Sequence, residues 1–257
     1  MTLRRTLVAF LAVAMLVACG GGGGSSASSS SSTSSSSGRT PEQLAADQQT
    51  AQSVVLQLSD FPSGWTSKPR GPSTADTPEA IAATKQFAGC LGVDPSLVSD
   101  QSDPAKASSK SDKFTDGHNL EVEGSATVQA SVDNKQELLA AFRKPASQAC
   151  FEDFINTAFM YALAHPAPGK ELPPGVDIGK VAVTPGNLPG VHGEPIVYRT
   201  TVPFTVQQQT ITIVVDFVFV LKGRTSLDLT FQNVGAPFPT DLAVQLANTS
   251  IDRAPDT

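Results

Sequence analysis

The sequence predicts an α+β fold: an antiparallel sheet of about five strands with helices packed on its apolar face. Three observations point there. Two helix-start signals, Thr40-Pro41-Glu42 and Thr77-Pro78-Glu79, precede the first alternating strand pattern. Four strand candidates, the last three joined by tight links, then fill the stretch from 177 to 232. A Gly/Pro-rich break at 235–239 leads into one closing helix, so the elements fall in runs instead of the βαβ alternation of a parallel sheet.

Ahead of that domain lies a different kind of sequence. Arg4 and Arg5 precede an apolar stretch from Leu7 to Val17, which is too short to span a hydrocarbon layer of roughly 30 Å and reads as an export signal over residues 1–18. It ends in Leu16-Val17-Ala18-Cys19, which resembles the lipobox of bacterial lipoproteins. That resemblance implies diacylation of the Cys19 thiol and cleavage before it; an ordinary secretory signal with an incidental cysteine is the alternative. Two acyl chains suffice for stable attachment to a membrane surface where one is marginal. Residues 20–38 are almost entirely Gly and Ser, a flexible spacer with a typical reach of roughly 25 Å. The expected organisation is therefore signal 1–18, lipidated Cys and linker 19–40, and one domain over 41–257 on the extracytoplasmic face of the cell membrane.

Composition narrows the partners. The formal charge of −6 becomes −8 once Arg4 and Arg5 leave with the signal, and no Lys/Arg cluster offsets it, which argues against nucleic acid. With Cys19 assigned to lipid, Cys90 and Cys150 remain as a pair in an exported chain, where a disulfide is the default and a reactive or metal-binding pair the alternative.

Within the domain, Leu44, Ala51, Val54, Val55 and Leu58 recur at helical spacing until Phe61-Pro62-Ser63-Gly64 stops the helix, and Trp65 opens a short extended stretch. The second helix runs through Ile81, Phe87 and Cys90 to Gly92. Residues 94–117 are polar and broken by prolines, the pattern of an exposed loop. From Leu120 to Val132 apolar and polar residues alternate, with Glu121, Glu123, Ser125 and Thr127 on the polar side, as in a strand half exposed to water. A helix from Asp133 to about Lys144 follows. The next helix begins after Pro145 and sets Phe151, Phe154, Ile155, Phe159 and Leu163 on one stripe. That stripe is either ordinary core or, through Phe151, Phe154 and Phe159, one wall of a cavity for an apolar ligand.

Strands are expected at 177–184, 195–206, 209–221 and 225–232. A Gln207-Gln208 turn pairs residues whose numbers sum to 415 and sets Arg199 opposite Asp216. If one face alone is apolar, the next link must be Leu221-Lys222-Gly223, with pairs summing to 444 and Asp216 facing Asp228. Arg199, Asp216 and Asp228 then form either a carboxylate pair with one raised pKa or a solvated charge cluster. No Gly-x-Ser-x-Gly, Ser-x-x-Lys, His-Glu-x-x-His, Cys-x-x-Cys or Gly-Lys-Ser/Thr motif occurs, His118, His165 and His192 lie in loops, and neither cofactor nor metal is expected.

The lipobox and spacer, the Ser59-Asp60-Phe61-Pro62-Ser63-Gly64-Trp65 turn, Cys90-Leu91-Gly92, Cys150 and Gly235-Ala236-Pro237-Phe238-Pro239 together resemble uncharacterised actinobacterial envelope lipoproteins, similar in outline to PsbP-like domains and to extracytoplasmic sensor modules of receptor kinases. The resemblance supplies no catalytic residues. The function expected is a non-enzymatic lipoprotein domain that binds an envelope partner or senses a ligand; a carrier of lipid or another apolar molecule, using space beside the Phe-rich helix, is the alternative, and a hydrolase built around Asp216 and Asp228 the third.

Overall fold

The computed structural model describes residues 39–70, 77–98, 107–165, 172 and 175–256; Cys19, the signal and the Gly/Ser linker lie outside them. Six helices and nine strands are present among these residues: α1 (Pro41–Val54), β1 (Thr66–Lys68), α2 (Pro78–Leu91), α3 (Pro95–Val98), β2 (Ala107–Lys110), β3 (Lys113–Thr115), β4 (Glu121–Val128), α4 (Val132–Phe142), α5 (Ser147–Ala164), β5 (Val176–Ile178), β6 (Ala182–Pro185), β7 (Ile196–Val206), β8 (Gln209–Lys222), β9 (Thr225–Val234) and α6 (Thr240–Ile251).

Helix starts follow local chemistry. Thr40 and Gln43 exchange hydrogen bonds in a capping box ahead of Pro41, and Thr77 accepts from the amide of Ala80 ahead of Pro78. At the far end of α2, Gly92 takes a φ of 72°, which closes the helix at no side-chain cost.

All nine strands join one antiparallel sheet in the order β1-β3-β4-β9-β8-β7-β5, with β2 also on β4 and β6 also on β7. About five strands were expected. The four extra ones are β1, in the short extended stretch after Trp65, β2 and β3 in the presumed loop 94–117, which also contains α3, and one from the division of residues 177–184 into β5 and β6. The β2–β3 and β5–β6 divisions are bulges. The pairing sum along β4 moves from 235 on β2 to 236 on β3, and along β7 from 382 on β5 to 383 on β6. One extra residue therefore enters each outer strand, bending it and blunting that edge. Ser111 fixes the first bulge: its hydroxyl accepts from the amide of Gly124 and donates to the carbonyl of Asp112.

Helices cover both faces of the sheet, where the sequence implied one. On the first face Phe87, Phe142, Phe151, Ile155 and Phe159 pack with Tyr198, Val202, Phe204, Ile213, Val215 and Phe217. On the second, Ala243, Leu246 and Ile251 of α6 pack with Val197, Val218, Val220, Leu227, Leu229 and Phe231, while α1 joins Ala51 to Ala107 and Val128. β8 is consequently buried on both sides, which explains its near-continuous apolar run.

The predicted sum of 415 for β7–β8 holds at every pair, including Arg199 opposite Asp216, and Gln207 and Gln208 both adopt positive φ, 49° and 67°, as a type I′ turn requires. The second hairpin corrects the expectation. Its pairs sum to 447, because a two-residue link, Gly223-Arg224, replaces the three-residue one. That odd sum turns Leu227, Leu229 and Phe231 away from the first face onto the second.

Cys90 and Cys150 form a disulfide with Cα atoms 5.7 Å apart, stapling α2 to α5. Among the described residues no helix is long and apolar enough to cross a membrane.

Candidate functional site

The register separates the residues that the sequence grouped. Asp216 pairs with Phe231 and Asp228 with Phe219, so the two carboxylates project from opposite faces of the sheet and form no pair. Arg199 does meet Asp216: Nε donates to Oδ1 at 2.6 Å and Nη2 to Oδ2 at 2.9 Å. This is a two-point ion pair inside the second apolar layer, with the carboxylate covered and the guanidinium reaching the surface. The hydrogen bonds to Asp216 push the Arg199 pKa upward against the opposing effect of burial. Both carboxylate oxygens of Asp216 are engaged by the guanidinium, so the pair turns no group toward a substrate and lets a charged strand position sit in the second apolar layer.

Two further Arg–carboxylate clamps work the same way. Arg224 in the β8–β9 turn grips Asp47 of α1 at 2.6 and 3.0 Å, and Arg39 lies 3.2 Å from the same carboxylate while donating to the carbonyl of Val128 at 2.7 Å. Arg253 holds Asp60 beside the end of α6. The first fastens α1 to the sheet, and the second ties the end of α6 to the segment that follows α1.

The Phe stripe is packed. Phe151 stacks on Tyr198 with ring centroids 4.8 Å apart and meets the edges of Phe217 and Phe219, Phe154 stacks on Phe87, and Phe159 meets Phe204. The hydroxyl of Tyr198, also in this layer, donates to the carbonyl of Phe142 at 3.0 Å and lies 2.8 Å from Ser147 Oγ, so it too is satisfied. Rings therefore occupy the space between α5 and β7–β8 that an apolar ligand would need.

His118, His165 and His192 each contact a different neighbour: the carbonyls of Asp116 and Tyr161 and the carboxylate of Asp252. Among the described residues no group of three or more His, Cys, Asp or Glu could hold a metal ion.

The feature that sequence reasoning missed lies on the first face at the other half of the sheet. Cross-strand rows there run Glu121, Gln232, Val215, Thr200 and Glu123, Thr230, Phe217, Tyr198. Each row begins polar on β4 and β9 and turns apolar at β8. The alternation on β4 suggested that Glu123, Ser125 and Thr127 face water, yet all three are buried, as are Thr230 and Gln232. Around this floor stand three cations and three carboxylates. Arg70 reaches Glu123 with Nε 3.5 Å from Oε2 and donates from Nη2 to the carbonyl of Gly124 at 2.7 Å. Lys113 lies 3.1 Å from Glu121, while Lys110 and Asp228 flank Ser125 on the two neighbouring strands. Burial raises the Glu123 pKa, with Arg70, Lys113 and Lys110 opposing the shift and Glu121 reinforcing it. A half-face of polar side chains kept from bulk water is costly unless its groups find partners.

No known protein family, curated protein or solved structure matches this chain.

Proposed function

We propose that the chain is an exported lipoprotein, anchored through Cys19 on the extracytoplasmic face of the cell membrane, whose α+β domain binds an envelope partner or ligand without catalysing a reaction. The observation that carries this reading is the Cys90–Cys150 disulfide. It supports an oxidising compartment and leaves Cys19 as the one cysteine outside a bridge, directly after the export signal. The absence of a paired carboxylate at Asp216 and Asp228 removes the constellation that favoured hydrolysis, and the close ring packing around Phe151 gives the apolar carrier no support.

The test is metabolic labelling of the full chain in a bacterial host with an alkyne analogue of palmitate. Wild-type protein takes the label and sediments with membranes; Cys19→Ser takes none. A wild-type chain that stays unlabelled, or a Cys19→Ser chain labelled as strongly as wild type, overturns the anchor.

A further inference from the structure

We infer that the buried polar floor on β4 and β9 is a binding site for a small, uncharged, hydroxyl-rich molecule such as a sugar or polyol. The inference deepens the proposed function by giving the binding domain a ligand class, and it rests on that reading.

Gln232 carries it. The residue is 1% exposed and its Oε1 has no hydrogen-bond partner. Two positions along the same row, beyond Val215, Thr200 is fully buried and its Oγ1 is also unpartnered. Leaving a buried polar atom unpaired is costly, so native proteins seldom keep such atoms unless something else completes them. Gln232 stands at the edge of a floor that is polar throughout, with Glu123, Ser125 and Thr230 all buried beside it on the same face, while Thr200 lies two strands away on β7.

Charge decides the class. Arg70 and Glu123 attend to each other, as do Lys113 and Glu121. Lys110 and Asp228, on either side of Ser125, complete a balance of three positive and three negative groups. An anion or cation entering this space would have to break an ion pair or bring its own charge out of water uncompensated. Arg70 Nε, Lys110 Nζ and Glu121 Oε2 are buried without a hydrogen bond, but each faces an opposite charge, on Glu123 or Lys113. The neutral atom that the floor leaves unmet is Gln232 Oε1, an amide oxygen that needs a donor, and a hydroxyl supplies one.

The experiment is a thermal melt of the full, detergent-extracted chain titrated with glucose, myo-inositol, inorganic phosphate and putrescine. The expected result is a saturable rise in Tm with glucose or myo-inositol and none with phosphate or putrescine. Gln232→Leu should weaken that response about ten-fold, the equivalent of losing one buried hydrogen bond of about 1.4 kcal/mol. Thr230→Val provides the same test should the leucine variant fail to fold, and Gln209→Leu on the exposed β7–β8 hairpin should leave the response unchanged. No saturable shift with either polyol up to about 10 mM, well into the weak-binding range, overturns the inference; so does a stronger response to phosphate or putrescine, or a polyol response that survives both floor substitutions. If the inference fails while Cys19 is labelled, the anchored-domain reading stands and only its ligand class falls.

Discussion

Arg199 and Asp216 are joined by two hydrogen bonds across the β7–β8 pair, yet their exposures differ: the arginine side chain is 32% exposed and the aspartate 4%. The two halves of this pair should therefore respond unequally to mutation. Arg199→Met strands a covered carboxylate and should cost about 3–5 kcal/mol, the range for an ion pair broken in the interior. Asp216→Asn keeps the shape and strands a guanidinium that water can still reach, so about 1–2 kcal/mol is expected after allowing for that solvation. Urea denaturation of both variants checks the order; equal losses would contradict the burial asymmetry. The double variant Arg199→Met/Asp216→Leu should recover most of the loss, because it leaves no uncompensated charge.

The staple between α2 and α5 gives a second expectation. It closes a loop with a sequence separation of 60, for which chain-entropy arguments give about 4 kcal/mol. Cys90→Ala/Cys150→Ala, or reduction with dithiothreitol, should lower the urea midpoint accordingly while the far-ultraviolet circular dichroism of the folded state persists. An unchanged midpoint after complete reduction would show that packing around Phe87 and Phe151 already holds the two helices together.

At the tip of the β7–β8 hairpin, Gln207 and Gln208 hold φ values of 49° and 67°. Non-glycine residues pay about 1–2 kcal/mol for the left-handed region, and Asn-Gly is the pair that this turn favours. Gln207→Asn/Gln208→Gly should therefore stabilise the protein by about 1 kcal/mol, read as a rise in Tm with no change in m-value. A fall in Tm would mean that the glutamine side chains make contacts outweighing the backbone relief.

These expectations also show where the sequence was legible. Arg199 opposite Asp216 could be read because the Gln207-Gln208 turn fixes the count and β7 alternates cleanly. Asp216 opposite Phe231 could not. With Val214, Val218 and Val220 on one side of β8 and Val215, Phe217 and Phe219 on the other, parity no longer reports which side is covered, so a rule assuming one apolar face chose 444 over 447. β2 escaped notice because Ser108, Ser109 and Lys110 carry no apolar signature; pairing with β4 makes it a strand. The polar floor was hidden for a related reason. Alternation at Glu121, Glu123 and Ser125 has the same pattern whether the polar side meets solvent or lines an interior, and only tertiary cover distinguishes the two.

Glu123 supplies the test of that cover. Its carboxyl is buried, and burial raises its pKa above the usual glutamate value of 4.5 although Arg70, Lys113 and Lys110 pull the other way. A carboxyl whose folded pKa lies above its unfolded one favours the fold below the unfolded value, and that contribution is lost as pH rises through the folded value. Wild-type stability should therefore decline through a window that begins near pH 4.5 and extends upward from it. Glu123→Gln keeps the shape and removes the titration, so the variant should match wild type at pH 4 and melt higher at pH 7.5, by about 2–4 °C if roughly 1 kcal/mol of uncompensated desolvation is relieved. Melts across pH 4–8 on both proteins decide the matter. A variant that melts lower at pH 7.5 would show that the ion pair with Arg70 outweighs the cost of burial, and the floor would then be a compensated salt-bridge network with Glu123 ionised throughout.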